Sequence, residues 1–124
     1  MNTTSKESIN NPIVTSNGET IYELIGRFNW QKTNVHSLAF VEIDEGKATL
    51  LHYHPNTEES YYIIQGNGKM VIDDEEAFIK KGQSILIPKS QKHKLYNTGN
   101  ETLKLLAICI PAWEPSNTVW LETI

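Results

Sequence analysis

Residues 46–66 read GKATLLHYHPNTEESYYIIQG and contain the chemistry around which the chain is organised. Side chains on a strand alternate between its two faces, so His52 and His54 point to the same side. The Pro-Asn-Thr sequence that follows supplies a turn, after which the carboxylate of Glu59 can fold back over that side. Two imidazoles and one carboxylate that converge on one point form half of a transition-metal site.

The rest of the chain reads as short strands separated by turns. Gly, Asn, Asp and Pro recur about every six to twelve residues, and residues 60–65, SYYIIQ, combine aromatic and β-branched side chains. Residues 47–54 and 103–110 read as two further strands. Because no segment keeps a helical period through three turns, we predict about nine or ten strands in an all-β sandwich or barrel with antiparallel hairpins.

The length of 124 residues predicts one domain with one core. Residues 1–12 are polar and predict a flexible N-terminal tail, which leaves residues 13–124 as the barrel domain. Within it, residues 111–124 contain two prolines and two tryptophans and predict an irregular C-terminal tail.

Charge and composition exclude several classes of partner. The net charge of -4 argues against a nucleic acid, whose backbone attracts basic proteins. The longest apolar run, residues 103–111, is interrupted by Lys104 and is too short to span a bilayer. The N-terminus lacks the apolar core of a signal peptide, and the single Cys109 cannot form an internal disulfide. We therefore expect a cytoplasmic protein without a nucleic acid or membrane partner.

A third histidine lies in residues 82–97, GQSILIPKSQKHKLYN. His93 follows a proline-containing loop and begins a predicted strand. If the sheet closes on itself, this strand can lie beside the strand of His52, and His93 would then add a third imidazole. The spacing alone does not place it there.

The two stretches together resemble the two motifs of the cupin superfamily. In the first motif a glycine is followed after five residues by H-x-H, after four more by glutamate and after six more by glycine, as in residues 46–66. The second motif has glycine, proline, histidine and asparagine, matched here by Gly82, Pro88, His93 and Asn97. Ser90 is the one departure: the family has glycine there, and a turn that requires a positive φ would be strained by serine.

The resemblance implies a double-stranded β-helix, also called a jelly-roll barrel. It also implies one divalent metal ion, Fe2+, Mn2+, Ni2+ or Zn2+, held by His52, His54, Glu59 and His93. Glu58 is the competing carboxylate, but the six-residue spacing to Gly66 favours Glu59, as does the face that Glu59 shares with Tyr61. Asn97 is expected to hydrogen-bond backbone groups at a turn.

Four protein ligands leave about two positions of a six-coordinate ion for water or substrate. We therefore expect a metal-dependent enzyme, a dioxygenase, isomerase or lyase, that acts on a small oxygenated organic molecule. Tyr61 is the candidate proton donor. The alternatives are a non-catalytic protein that binds a sugar or an organic acid, and a scaffold with a structural metal.

Apolar side chains outside the motifs predict a second subunit. Trp113 and Trp120 follow the last strand and must be buried against the barrel mouth or against a partner. The residues of two strands that should point outward are also apolar, namely Tyr62, Ile64, Leu106, Ile108 and Ile110. A sheet with two apolar faces requires a cover on both, and cupins are commonly dimers, so we expect a homodimer.

Overall fold

The computed structural model describes residues 1–123, and within them eleven strands form two antiparallel sheets packed face to face. The strands are β1 (Ile13–Val14), β2 (Glu19–Ile25), β3 (Ser37–Ile43), β4 (His52–Tyr53), β5 (Glu58–Gln65), β6 (Asn67–Ile72), β7 (Glu75–Lys80), β8 (Ser84–Ile87), β9 (His93–Asn97), β10 (Leu103–Ile110) and β11 (Val119–Trp120). Three-residue 3-10 turns occur at Lys6–Ser8 and Pro115–Asn117. No helix within residues 1–123 has the length and apolar character needed to cross a bilayer. The predicted all-β jelly-roll fold is confirmed.

The order of strands brings distant parts of the chain into one barrel. The six-stranded sheet has the order β1-β2-β3-β10-β5-β8, and the five-stranded sheet has the order β11-β4-β9-β6-β7. From β4 to β10 the chain passes repeatedly between the two sheets, which is the jelly-roll pattern. As a result β4 and β9 of one sheet face β5 and β10 of the other.

The core occupies one end of this barrel because inward-facing side chains change in size along the strands. On β10, Leu103 and Leu105 are fully buried at that end, whereas the inward positions near the other end hold Ala107 and Cys109. Leucines fill the space between the sheets, and the smaller side chains leave room. A cavity therefore opens at the end of the barrel where Cys109 lies.

Asn97 closes the core end by holding three backbone carbonyls. Its Nδ2 lies 3.0 Å from the carbonyl oxygen of Ile43, 3.2 Å from that of Asp44 and 2.8 Å from that of Glu101. Its Oδ1 accepts a hydrogen bond of 3.0 Å from the backbone N–H of Gly99. The side chain thereby satisfies backbone groups that would otherwise be buried without partners.

The strand predicted over residues 47–54 is shorter in the structure, where it comprises only His52–Tyr53. Thr49 explains the difference. Its backbone N–H donates to the carbonyl of Leu95 at 2.9 Å, and its Oγ1 accepts from the N–H of Leu95 at 2.9 Å. A side-chain oxygen thus takes the place of a backbone acceptor, which interrupts the regular ladder until His52 pairs with His93.

Both terminal segments contact the barrel. Lys6 forms a salt bridge of 2.9 Å with Glu42 and lies 5.2 Å above the ring of Tyr22, on the outer side of the six-stranded sheet. The C-terminal segment contains β11, which pairs with β4 so that Trp120 lies opposite His52. The domain limits remain predictions, and residue 124 lies outside the described residues.

Candidate metal centre

The fold brings together the four side chains that the motifs single out. His52 begins β4, His54 follows that strand, His93 begins β9 and Glu59 is the second residue of β5. His52 and His93 are direct partners across two neighbouring strands, and Glu59 approaches from the facing sheet. All four are buried, and one possible ligand atom of each lies within 4.8 Å of the other three.

Backbone carbonyls orient the three imidazoles. The Nδ1 atom of each ring lies close to a backbone carbonyl oxygen. The distance is 2.7 Å from His52 to the oxygen of Leu50, 3.0 Å from His54 to that of Asn117 and 3.0 Å from His93 to that of Gln91. A carbonyl oxygen can only accept, so each Nδ1 donates and each Nε2 keeps a free lone pair. This is the tautomer in which histidine binds a metal through Nε2, with its other nitrogen held from behind.

Two buried atoms at the centre have no hydrogen-bond partner among residues 1–123, namely Oε1 of Glu59 and Nε2 of His93. They are 3.1 Å apart but not aligned for a hydrogen bond, and Nε2 of His54 lies 3.5 Å from the same Oε1. Buried polar atoms without partners are costly, and native structures contain few of them. A cation among these atoms would satisfy both, so the donor set fits a divalent metal ion.

Two of the four side chains, His52 and Glu59, favour the protonation state that a metal requires even in its absence. Burial, together with the neighbouring His93, lowers the pKa of His52 to about 4, so this imidazole is neutral at pH 7. Burial alone would raise the pKa of Glu59, but the adjacent His54 and His93 outweigh it and hold that pKa well below its usual range. A neutral imidazole and an ionised carboxylate bind a metal without first losing a proton.

The second oxygen of Glu59 is held by Cys109. Its Sγ donates to Oε2 of Glu59 at 3.3 Å, and the two residues are direct partners on β10 and β5. Burial raises the pKa of the thiol far above its usual range, and the charge of Glu59 raises it further. The thiol therefore stays protonated and donates to Oε2, which directs Oε1 to the histidines.

The C-terminal segment supports His54 through Asn117, a residue that sequence reasoning missed. The Nδ2 of Asn117 donates to Oγ1 of Thr57 at 2.6 Å, and its Oδ1 accepts from the N–H of Asn56 at 3.0 Å. These bonds fix the backbone carbonyl that receives Nδ1 of His54. No sequence signal near the motifs indicates this contact, because the two residues are 63 positions apart.

A cavity of about 60 Å3 lies in front of the cluster. Tyr61 lines it as its shared face with Glu59 predicts, and Trp120 covers His52 at a ring distance of 5.0 Å. Trp113 also lines the cavity and packs against Phe28 with 5.9 Å between the rings. Both tryptophans of the C-terminal segment thus bury part of their surface at the barrel mouth, and the cavity admits only a small ligand.

Two further carboxyl groups, which lie outside both sequence motifs, line the cavity. Glu19 and Glu23 both project inward from β2, on the same face as Ile21. Glu19 is 5% exposed, whereas Glu23 is only half-buried and accepts a hydrogen bond of 3.1 Å from the N–H of Phe28. The available signal was their spacing, since residues four apart on a strand share a face.

A family model described as the cupin domain matches residues 39–109, more than half of the chain, and this range includes all four clustered side chains. The chain belongs to the cupin family. This cupin is 40% identical over 111 residues to the uncharacterized protein MJ1618 of Methanocaldococcus jannaschii, a match that covers 90% of this chain and 88% of that protein.

Two other matches concern named proteins. The cupin is 32% identical over 72 residues to the oxalate-binding protein of Thermotoga maritima. This match covers 58% of this chain and 60% of that protein. The solved oxalate decarboxylase of Lactobacillus farciminis has a TM-score of 0.78 and 25% identity over 90% of this chain. The match spans only 33% of the decarboxylase, so it demonstrates the shared fold of one part of that enzyme.

Proposed function

We propose that this cupin is a divalent-metal-dependent enzyme that acts on a small oxygenated organic molecule by lyase, isomerase or dioxygenase chemistry. The observation that supports this most strongly is the buried cluster of three imidazoles and one carboxylate, which faces a cavity and contains two unpaired polar atoms. A purely structural metal site has no need of such a cavity, since its ligands come from the protein alone.

His52, His54, Glu59 and His93 would hold the ion. When bound, a divalent ion such as Mn2+, Fe2+, Ni2+ or Zn2+ supplies a Lewis acid for the oxygen atoms of a substrate. The likeness to an oxalate decarboxylase favours lyase chemistry on a small carboxylate. All four of these metals accept imidazole and carboxylate ligands.

The protein's own groups have separate tasks around the substrate. Tyr61 is the proton donor in this proposal: burial, reinforced by the charges of Glu59 and Glu19, raises the pKa of its hydroxyl well above the usual value. The hydroxyl is therefore protonated when the substrate binds, and it gives up the proton only to a substrate atom that becomes strongly basic. Trp120 and Trp113 cover part of the cavity and exclude water from it. Excluding water strengthens each remaining electrostatic interaction with the substrate.

Metal content tests the proposal directly. The purified protein is stripped with a chelator, loaded anaerobically with Mn2+ or Fe2+, and analysed for bound metal. We expect about one ion per chain in the wild type, loss of the ion in His52→Ala, and full retention in His36→Ala, whose histidine lies outside the cluster. Loaded protein is then assayed for oxygen uptake and for breakdown of small organic acids. A wild-type chain that binds no ion contradicts the proposal.

A second candidate function is binding without catalysis, and the likeness to an oxalate-binding protein favours it. The same cluster and cavity would then hold a small organic acid as a receptor site. The two functions differ in turnover: a binding protein saturates with ligand in the presence of metal and returns it unchanged, whereas an enzyme consumes it.

We also propose that two copies associate through the outer face of the six-stranded sheet. Four of its exposed apolar side chains are Tyr62 at 47%, Leu86 at 58%, Ile108 at 37% and Ile110 at 55%. They lie on the adjacent strands β5, β8 and β10, so they form one continuous patch. Covering such a patch with a second copy would remove apolar surface from water. Light scattering at micromolar concentration should give twice the mass of the chain, and a monomer mass contradicts this arrangement.

A further inference from the structure

Glu19 is a buried carboxyl group without a counter-charge. It faces the cavity from β2, it is 5% exposed, and no Lys or Arg is among the residues that line the cavity. Within residues 1–123 no hydrogen bond reaches its side-chain oxygens. Burying an ionised carboxylate in such surroundings is costly, so the group instead retains its proton.

The negative charge of Glu59 acts in the same direction. Burial and the proximity of Glu59 raise the pKa of Glu19 to about 8, so at pH 7 most molecules carry a neutral carboxyl there. A neutral carboxyl donates a hydrogen bond, which an ionised one cannot do. The hydroxyl of Tyr61 also lacks a partner within the described chain and faces the same cavity. The cavity wall therefore presents two donors that make no hydrogen bond within residues 1–123, which is the complement of a ligand rich in oxygen.

Glu23 does not share this property. One of its oxygens already accepts from the N–H of Phe28, and it lies half-exposed where the cavity meets the neighbouring surface. Glu19 is the more buried of the two and has no bond within the protein to give up. Of the two carboxyl groups, Glu19 therefore gains the more from a hydrogen bond to a ligand.

The charge of the loaded site limits what that ligand can be. A divalent ion, three neutral imidazoles and ionised Glu59 sum to one positive charge. Glu19, which burial alone then keeps neutral, adds none. A singly charged anion balances this site, whereas a dianion would leave an uncompensated negative charge in a buried cavity of low polarity. The volume of about 60 Å3 further restricts the ligand to a small molecule.

We infer that Glu19 is a ligand-binding residue: its neutral carboxyl donates a hydrogen bond to the distal hydroxyl oxygen of a small, singly charged hydroxy acid whose carboxylate end faces the metal cluster. This inference rests on the proposed function, because it takes the other end of the ligand to be held by a bound ion. It assigns the substrate class that the cluster alone leaves open.

Lactate and glycerate test this inference because they differ by one distal hydroxyl. Dissociation constants are measured for each acid on Co2+-loaded protein, from the visible spectrum of the ion, with metal content determined for each variant. We expect the wild type to bind glycerate about fivefold more tightly than lactate, which is the usual effect of one hydrogen bond. Glu19→Leu should reduce that preference to less than about twofold, and Glu19→Gln, which keeps a donor, should preserve most of it. Glu45→Gln, an exposed carboxylate on a turn, should leave it unchanged.

An equal preference in Glu19→Leu, or none in the wild type, overturns the inference. Metal content separates the two proposals, because a chain that takes up no ion contradicts the proposed function, whereas loaded protein without a glycerate preference contradicts only the role of Glu19. Infrared spectra of the metal-free proteins at pH 7 keep the inference testable if ligand binding is weak. The band of a protonated carboxyl should be present in the wild type and in Glu45→Gln and absent from Glu19→Gln, and its persistence in Glu19→Gln overturns the inference.

Discussion

The two walls of the cavity hold their polar side chains in opposite ways. On the five-stranded sheet, the histidine wall, His52 and His93 are direct partners, and backbone carbonyls fix both rings. On the six-stranded sheet, the carboxyl wall, Glu19 and Tyr61 have no hydrogen-bond partner within residues 1–123. The histidine wall is therefore organised before any ligand arrives, whereas part of the carboxyl wall is left to be satisfied by the ligand.

The carboxyl wall also shows that burial alone does not set protonation. Glu59 and Glu19 are both nearly fully buried, yet the pKa of Glu59 is well below its usual range and that of Glu19 is raised to about 8. The difference lies in the neighbours: Glu59 faces His54 and His93, whereas Glu19 faces no positive group. Nearby charge can outweigh desolvation in one place and reinforce it in another.

The largest expected effect is on metal affinity, when Glu59, the carboxyl-wall residue that belongs to the metal cluster, is replaced. Glu59→Gln keeps the size of the side chain but removes the one negative charge among the four side chains of the cluster. We expect affinity for Mn2+ to fall by more than about 100-fold, beyond the range seen when only a supporting residue of a metal site is lost. Competition with a fluorescent chelator measures this affinity.

Glu58→Gln is the matched control, since Glu58 is the adjacent carboxylate on β5 and is exposed. It should bind Mn2+ as the wild type does. Equal losses in both variants would mean that the cluster does not hold the ion through Glu59.

The second-largest effect should be a change in how stability depends on pH. The pKa of Glu19 is raised in the folded state from 4.5 to about 8, so between these values the folded chain holds a proton that the unfolded chain has released. Its contribution to stability is fully present below pH 4.5 and is lost as the pH rises through 8. Glu19→Gln has no such proton, so from pH 6 to pH 8 the wild type should lose about 2 kcal/mol relative to the variant.

Urea unfolding of the metal-free proteins at several pH values measures this difference. His54 titrates in both proteins and largely cancels in the comparison. Parallel stability curves for the wild type and Glu19→Gln would show that Glu19 is ionised in the folded chain.

Removing the support that Asn117 of the C-terminal segment gives to His54 should have a smaller effect on metal affinity and stability. Asn117→Ala removes two side-chain hydrogen bonds, to Asn56 and Thr57, while the backbone carbonyl that receives His54 remains. With that carbonyl less firmly placed, we expect Mn2+ affinity to fall by about tenfold and stability by about 1 kcal/mol. Calorimetry of metal binding and urea unfolding give the two values. Unchanged affinity would show that the backbone alone positions His54.

The histidine wall could be predicted from the sequence and the carboxyl wall only in part. His52, His54 and His93 lie at fixed spacing in two motifs, and each motif combines a short strand with a tight turn whose geometry is local. Glu19 depends on the pairing of β2 with β3, which places it opposite Ile43. Both faces of β2 mix polar and apolar residues, so the alternation of side chains does not reveal which face is inward.

The C-terminal contacts were beyond prediction for a related reason. That the two tryptophans must be buried follows from their size, but their place does not, because Trp120 reaches His52 only through the pairing of β11 with β4. Asn117 likewise contacts His54 across most of the motif region. Contacts between segments far apart in the chain follow from sheet register, which local patterns do not encode.

Ser90, the residue that departs from the family motif, joins the two motif loops behind the histidines. It has a φ of 69°, its N–H donates to the carbonyl of His54 at 2.8 Å, and its Oγ donates to the carbonyl of Pro55 at 3.0 Å. The side chain thus contributes a bond that glycine would lack, in a backbone region that favours glycine.

Two substitutions separate the contribution of the Oγ hydrogen bond from that of the backbone strain, and each should change stability only slightly. Ser90→Ala keeps the positive φ but loses the Oγ bond, so we expect a loss of about 1 kcal/mol in urea unfolding. Ser90→Gly also loses that bond but relieves about 1 kcal/mol of backbone strain and gains entropy in the unfolded chain, so its stability should lie within about 0.5 kcal/mol of the wild type. Because His54 and His93 flank the joined loops, metal affinity should follow the same order, with the alanine variant weaker than the glycine variant. An alanine variant as stable as the wild type would show that the Oγ bond contributes nothing, and serine would then be only a tolerated replacement for glycine.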